Sequence, residues 1–176
     1  MGVALRAFDT ADTEEVVALW KRCGLTRPWN DPRADIARKL TVQPELFRLA
    51  VERAPVPEAG APRGDVAAPE AIVGSVMAGY DGHRGWMYYL AVHPARRGAG
   101  IARALVADAE ARLLALGCPK AMLMVRRDNG DALGLYDALG YRTDEVHVRG
   151  RRLIADHAPA SEPRDAPAAA PRRLGR

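Results

Sequence analysis

Apolar and polar positions alternate with two periods along this chain. Val16, Leu19, Trp20 and Cys23 recur at helical spacing, which predicts a helix over residues 11–23 with Gly24 as its stop. A loop over 25–32 (LTRPWNDP) and a shorter helix over 33–40 follow. Ile101, Leu105, Ala109, Leu113 and Leu116 form one stripe of a long helix over 101–116, with Gly117 just past its end and Pro119 beyond. Residues 131–139 read as a short helix stopped by Gly140. The remaining apolar runs have strand length: 3–8, 46–52, 72–80 and 86–92, the last two forming a hairpin across DGHRG. AMLMV (121–125) is a continuous run suited to a strand buried on both faces. Residues 141–148 and 151–154 predict a closing pair of strands. The order β α α β β β α β α β β predicts an α/β fold, α+β by some schemes, with a mixed sheet flanked by helices.

Eight of the thirteen prolines fall in two Ala/Pro-rich segments without apolar periodicity, 53–71 and 157–176. Such composition buries too little surface to offset the entropy of ordering. The expectation is one domain over 1–156, with 53–71 as an extended loop inside it and 157–176 as a disordered tail. A length of 176 residues, 48% of them hydrophobic, supports one core of this size.

The net charge is +4, and half of it lies in the tail, where Arg164, Arg172, Arg173 and Arg176 face Glu162 and Asp165. No aromatic residues interleave with these arginines, so no base-stacking platform is visible. No nucleic-acid partner is expected; a tail directed at nucleic acid or an acidic partner is the rival to a solvated one. There is no apolar run long enough to cross a membrane, and the N-terminus MGVALRAFDTAD lacks the apolar stretch of a secretory signal. A cytoplasmic protein, monomer or homodimer, is expected. Cys23 and Cys118 are too few for a disulfide framework or a four-thiolate zinc site, and His93, His147 and His157 have no metal-ligand spacing. No metal is expected. Neither Ser75 nor Ser161 sits in G-x-S-x-G, which excludes that class of hydrolase.

Chemistry concentrates at 88–106 (YYLAVHPARRGAGIARALV). A strand ends at Val92, and Arg97-Gly98-Ala99-Gly100-Ile101-Ala102 leads into the long helix. A helix start presents unpaired N–H groups and the positive end of the dipole, and small residues let an anion approach the backbone. Arg97 adds a fork for phosphate oxygens. A diphosphate site is predicted, with a turn that merely ends a strand as the plainer alternative. It is not a P-loop, since no Gly-Lys pair occurs, and Arg103 stands where a dinucleotide fingerprint needs Gly or Ala.

Arg97-x-x-Gly100-x-Ala102 after Val92-His93-Pro94 resembles the coenzyme A loop of the GCN5-related N-acetyltransferase (GNAT) superfamily. Asn129-x-x-Ala132-x-x-Leu135-Tyr136-x-x-x-Gly140-Tyr141 is similar to its second signature. RPWNDP (27–32), AGYDGHRG (78–85) and GCPK (117–120) resemble the small bacterial YpeA-type members. The resemblance implies a mostly antiparallel sheet of six to seven strands with about four helices. It implies acetyl-CoA as cosubstrate and a small-molecule or peptide amine as acceptor, with a non-catalytic acyl-CoA sensor as the rival.

By this resemblance the main chain of Arg97, Gly98, Ala99, Gly100, Ile101 and Ala102 holds the diphosphate. Ala99 replaces a Lys or Arg of many members and withholds one contact. Leu90, Ala91 and Val92 pair with the pantetheine arm, Asn129 contacts the pantetheine or the adenine-side arm, and Tyr136 protonates the departing thiolate; a core tyrosine is the alternative for Tyr136. Met124 occupies the position of a carboxylate base found in some members. Asp31, Asp81, His83 or a water chain are the remaining candidates for that role, although DGHRG also reads as a plain turn. Trp29 is placed over the acceptor pocket, or else anchors its loop in the core. Tyr88 and Tyr89 are expected on opposite faces of their strand.

Overall fold

Among the described residues, five strands follow one another across a single sheet in chain order. The structure, a computed structural model, describes residues 2–53 and 70–154. Nearly all of the expected loop at 53–71 and all of the 157–176 tail therefore lie outside the described residues.

The strands are β1 (Val3–Ala7), β2 (Phe47–Arg53), β3 (Glu70–Tyr80), β4 (Gly85–Val92) and β5 (Ala121–Leu123). The first four pair antiparallel, and β5 joins β4 in parallel. The helices are α1 (Thr13–Arg22), α2 (Pro32–Leu40), α3 (Ile101–Ala115) and α4 (Gly130–Ala138). α1 and α2 cover one face of the sheet with Val16, Val17, Leu19, Trp20 and Ile36. α3 and Tyr136 of α4 cover the other, around Leu105, Val106, Ala109 and Leu113. β2 is an interior strand between β1 and β3, and Phe47 to Val51 are all buried, Phe47, Leu49 and Val51 in the core under α1 and α2 and Ala50 in the core under α3.

Local chemistry sets the helix starts. Asp9 accepts from the Ala11 N–H at 2.9 Å while Asp12 accepts from the Asp9 N–H at 2.8 Å, a reciprocal box before α1. Asp31 caps α2 by accepting from the Arg33 N–H at 2.9 Å, with Pro32 in the first turn. α3 packs close because Gly85 lacks a side chain. A Cβ there would meet Cys118 Sγ and Leu113 Cδ1, each at 2.8 Å.

Two expectations change. The sheet has five strands among the described residues, not six to seven, because 141–154 form no ladder. Their alternation is real, but no second layer covers it: Val146, Val148, Leu153 and Ile154 are all exposed. Strand pairing requires a partner edge and a buried face, and periodicity supplies neither. Leu116, expected on the α3 stripe, lies just past the helix and is exposed.

Candidate active site

β4 and β5 pair only over Gly85–Met87 and Ala121–Leu123 and then part. Beyond that point β4 carries a bulge. Ser75 opposes Ala91 and Met77 opposes Tyr88, so β4 holds one residue more than β3 across this step. Tyr89 takes the strained conformation, with φ of 51°. The extra residue overturns the expectation for the tyrosine pair. Met87 belongs to the core under α3, whereas Tyr89, two residues on, packs against the core under α1 and α2. In a regular strand they would share a face. The bulge therefore puts Tyr88 and Tyr89 on the same side, the side of α1 and α2.

Tyr89 is held at every handle. Its ring stacks on Trp20 with centroids 3.9 Å apart and planes 17° apart. Its hydroxyl donates to Asp35 at 2.6 Å and accepts from Asn30 Nδ2 at 3.1 Å, and the same amide donates to Asp35. Its carbonyl accepts from Ser75 Oγ at 3.1 Å, and Ser75 accepts from Trp20 Nε1 at 2.9 Å. Burial and the Asp35 carboxylate push the Tyr89 phenol well above its ordinary value, so it remains a donor at any physiological pH. Of this group, Asn30, Asp35, Ser75 and Trp20 have no assigned part in the sequence motifs. The available signal was Ser75, a lone hydroxyl in the apolar run IVGSVMA.

Past Val92 the chain turns through Pro94–Arg96 into the glycine loop. Gly98 and Gly100 both sit at φ of 79°, where a side chain would be strained. Gly100 precedes α3 and no side chain caps that helix. The first-turn N–H groups are thus left for an anion. Arg97, Gly98, Ala99 and Gly100 are at the surface, Ala102 is half-buried, and Ile101 is anchored in the core. Cys23 donates from Sγ to Val92 O at 3.3 Å, tying α1 to this turn. Leu90 and Val92 are half-buried and Ala91 is buried.

Asn129 opens α4, and its Oδ1 accepts from the Ala132 N–H at 3.2 Å. Tyr136 is buried, 9% exposed, in edge contact with Tyr141 at 5.5 Å. Burial pushes its phenol up to about 12. A groove of about 1130 Å³ runs along the free edge of β5, lined in part by Trp86, Leu123, Met124, Tyr136 and Tyr141.

The other predicted site residues are engaged locally or stand at the surface. Asp81 accepts from the N–H groups of Arg84 (2.7 Å) and His83 (2.8 Å) and from Trp86 Nε1 (3.3 Å). The bonds from Arg84 and His83 hold its carboxyl below the usual range, which makes it a weaker base. His83 is exposed on the same turn. Asp31 is a helix cap. Trp29 is 55% exposed at a turn closed by the Arg27–Asn30 bridge, so it is no core anchor. Met124 is exposed just after β5.

Comparison with known proteins places these features in context. Residues 25–141 match the family model described as the Acetyltransferase (GNAT) family. An acetyltransferase of Yersinia enterocolitica is 49% identical over 152 residues, covering 86% of this chain and 96% of that protein. One of Pectobacterium atrosepticum is equally similar, 49% identical over the same coverage. Among solved structures, the NatC complex bound to Gag peptide and CoA has a chain 25% identical, with a TM-score of 0.60 over 79% of this chain and 84% of that one. The aminoglycoside acetyltransferase AAC(6')-Iy with a bisubstrate analogue shares the fold, with a TM-score of 0.63 at 16% identity over 88% of this chain and all of that one.

Proposed function

Because the chain belongs to the GNAT family of acetyltransferases, we propose that it transfers the acetyl group of acetyl-CoA to an amine by direct attack within a ternary complex. The observation that carries this reading is a junction: the bulged stretch of β4 that β5 leaves unpartnered runs into a two-glycine loop at the uncapped start of α3. Main-chain N–H groups of Arg97, Gly98, Ala99, Gly100, Ile101 and Ala102 take the diphosphate. The pantetheine arm lies along Leu90, Ala91 and Val92 as an added strand. Asn129 uses its Oδ1 on its own helix, so its amide N–H groups are what it offers the arm.

Holding both substrates converts a bimolecular step into a near-unimolecular one. An N–H at the bulge stabilises negative charge on the thioester oxygen as the C–N bond forms. The C–S bond then breaks and the electron pair leaves on sulfur. Tyr136 donates to that sulfur, and the proton lost by the amine passes to water. A phenol at about 12 is a weaker acid than a free thiol of about 8.5. Its donation therefore belongs to the buried thiolate, whose own basicity rises in the same apolar surroundings.

No carboxylate stands at Met124, and Asp81 is weakened as a base, so the amine arrives already neutral or loses its proton through a water chain. Trp29, Asp31, Asp81 and His83 remain proposed contacts of the acceptor side. The same Met124 favours the second reading, an acyl-CoA sensor that transfers nothing. Acceptors to screen first are a peptide N-terminus and an aminoglycoside.

The test is a thermal melt with acetyl-CoA, with ATP and NAD as controls. Ligand at about 100 times Kd adds roughly 2.7 kcal/mol, a rise of about 5–10 °C for a domain of this size. A rise with acetyl-CoA alone supports the reading; thiol release with an amine then separates enzyme from sensor. A folded protein with no rise refutes both.

A further inference from the structure

We propose that Asp35 and Asn30 are positioning residues: through the Tyr89 hydroxyl they hold the β4 bulge so that the Leu90 N–H is aimed at the thioester carbonyl. The inference rests on the acetyl-transfer reading above and goes beyond it by naming what sets that aim.

A bulge residue with positive φ is ordinarily glycine, because a Cβ crowds the neighbouring carbonyl there. Here it is a tyrosine at φ of 51°. The conformation therefore has to be held by something outside the strand. Three contacts hold it, one for each part of the residue. Trp20 of α1 stacks on the ring. Asp35 of α2 and Asn30 just before α2 grip the hydroxyl from both hydrogen-bonding sides, at 2.6 and 3.1 Å. Ser75 of β3 donates to the carbonyl and is itself fixed by the Trp20 N–H.

The carbonyl contact determines the direction of the next N–H. A trans peptide is planar, so its C=O and N–H point opposite ways. With the Tyr89 carbonyl turned to Ser75 on the β3 side, the Leu90 N–H is turned away from β3. That is the side on which β5 has already parted from β4 after Met87 and Leu123. The ring and hydroxyl contacts fix Cβ and stop the residue from relaxing to negative φ, a rotation about N–Cα that would carry Cβ and the carbonyl together and take the carbonyl off Ser75. Asn30 neighbours Trp29, the exposed aromatic of the loop before α2. The aim of the N–H is thereby tied to the segment proposed to meet the acceptor.

The test reads the carbonyl without needing an acceptor. Acetyl-CoA isotope-labelled at its carbonyl carbon is bound to the full chain, and the C=O stretch is recorded by difference infrared spectroscopy. The wild type is expected to lower the stretch below that of free acetyl-CoA. Tyr89→Phe keeps the ring on Trp20 but loses the grip, and Asp35→Ala removes the acceptor; both are expected to return the stretch most of the way to the free value. Asp35→Asn restores an oxygen for the phenol and is expected to retain the wild-type stretch. Affinity for CoA itself, measured by calorimetry, is expected to change little in all three, since the glycine loop that takes the diphosphate is untouched.

A wild-type stretch preserved in Tyr89→Phe and Asp35→Ala overturns the inference and leaves acetyl transfer standing. So does a wild-type complex with an unshifted carbonyl. If Tyr89→Phe fails to fold, Asp35→Ala and Asn30→Ala carry the comparison. Loss of CoA affinity in step with the stretch in every variant overturns the positioning role in favour of a purely structural one. A wild type that binds no acetyl-CoA at all overturns the acetyl-transfer reading, which the melt detects separately.

Discussion

Tyr136 is the clearest example of a side chain whose surroundings define what it can do. Phenylalanine in its place keeps the ring, the burial and the edge contact with Tyr141, and loses only the hydroxyl. We expect Tyr136→Phe to lower kcat about 100-fold, the low end for a positioned acid, with a melting temperature close to that of the wild type. Turnover by thiol release and a melt on the same preparation check this. The pH dependence follows from burial, which raises the folded phenol from 10 to about 12. Its contribution to stability is present below pH 10 and is lost as pH rises toward the folded value. Between about pH 8 and 10, kcat should show no limb belonging to Tyr136, and a pH–rate profile would reveal one.

The glycines of β4 and of the loop before α3 look alike in the sequence and do different work. Gly98 and Gly100 each sit at φ of 79°, and a Cβ added at either would meet no heavy atom within 4 Å. Alanine there meets no clash but enters a left-handed conformation at a cost of about 1–2 kcal/mol, or the loop moves to avoid it. Either way acetyl-CoA affinity falls, which calorimetry would show. Gly85 has an ordinary φ and no space, with Cys118 and Leu113 at 2.8 Å. Gly85→Ala should destabilise by about 1–3 kcal/mol through overpacking and leave the affinity of the folded protein unchanged. Equal effects of the loop and strand variants on affinity would refute this division.

Across the molecule, α3 is tied to β2 by charge as well as by apolar contact. Arg48, only 8% exposed, donates to Asp108 at 2.8 Å, and Arg112 shares that oxygen at 2.9 Å. Desolvation raises the Asp108 carboxyl, but the bonds from Arg112 and Arg48 outweigh it and hold the group below its ordinary 3.8. Because the folded value is depressed, the stabilisation is full above pH 3.8 and is lost as pH falls beneath it. Asp108→Asn leaves a buried guanidinium without its counter-charge and should cost about 2 kcal/mol at neutral pH, less than the roughly 3–5 of a fully buried pair. It should also flatten the acid limb of the stability curve, which denaturant titrations at about pH 7 and about pH 3 would test.

The parts of this protein legible from its residues are those governed by near neighbours. The helix of 101–115, its glycine approach and the hairpin through Asp81 depend on periodicity and turn chemistry acting within a few positions. The family resemblance is carried by the same short segments. What the residues could not show depends on strands and helices far apart in the chain. The bulge that turns Tyr88 and Tyr89 to one side arises from the register of β4 against β3. The grip on Tyr89 joins Trp20, Asn30, Asp35 and Ser75, which lie 14 to 69 positions away. The alternation of 141–154 promised strands, yet an edge to pair with and a layer to cover them are properties of the folded whole, and they are absent there among the described residues. Local pattern specifies which elements form; register and packing decide which of their faces meet, and the site is made where they meet.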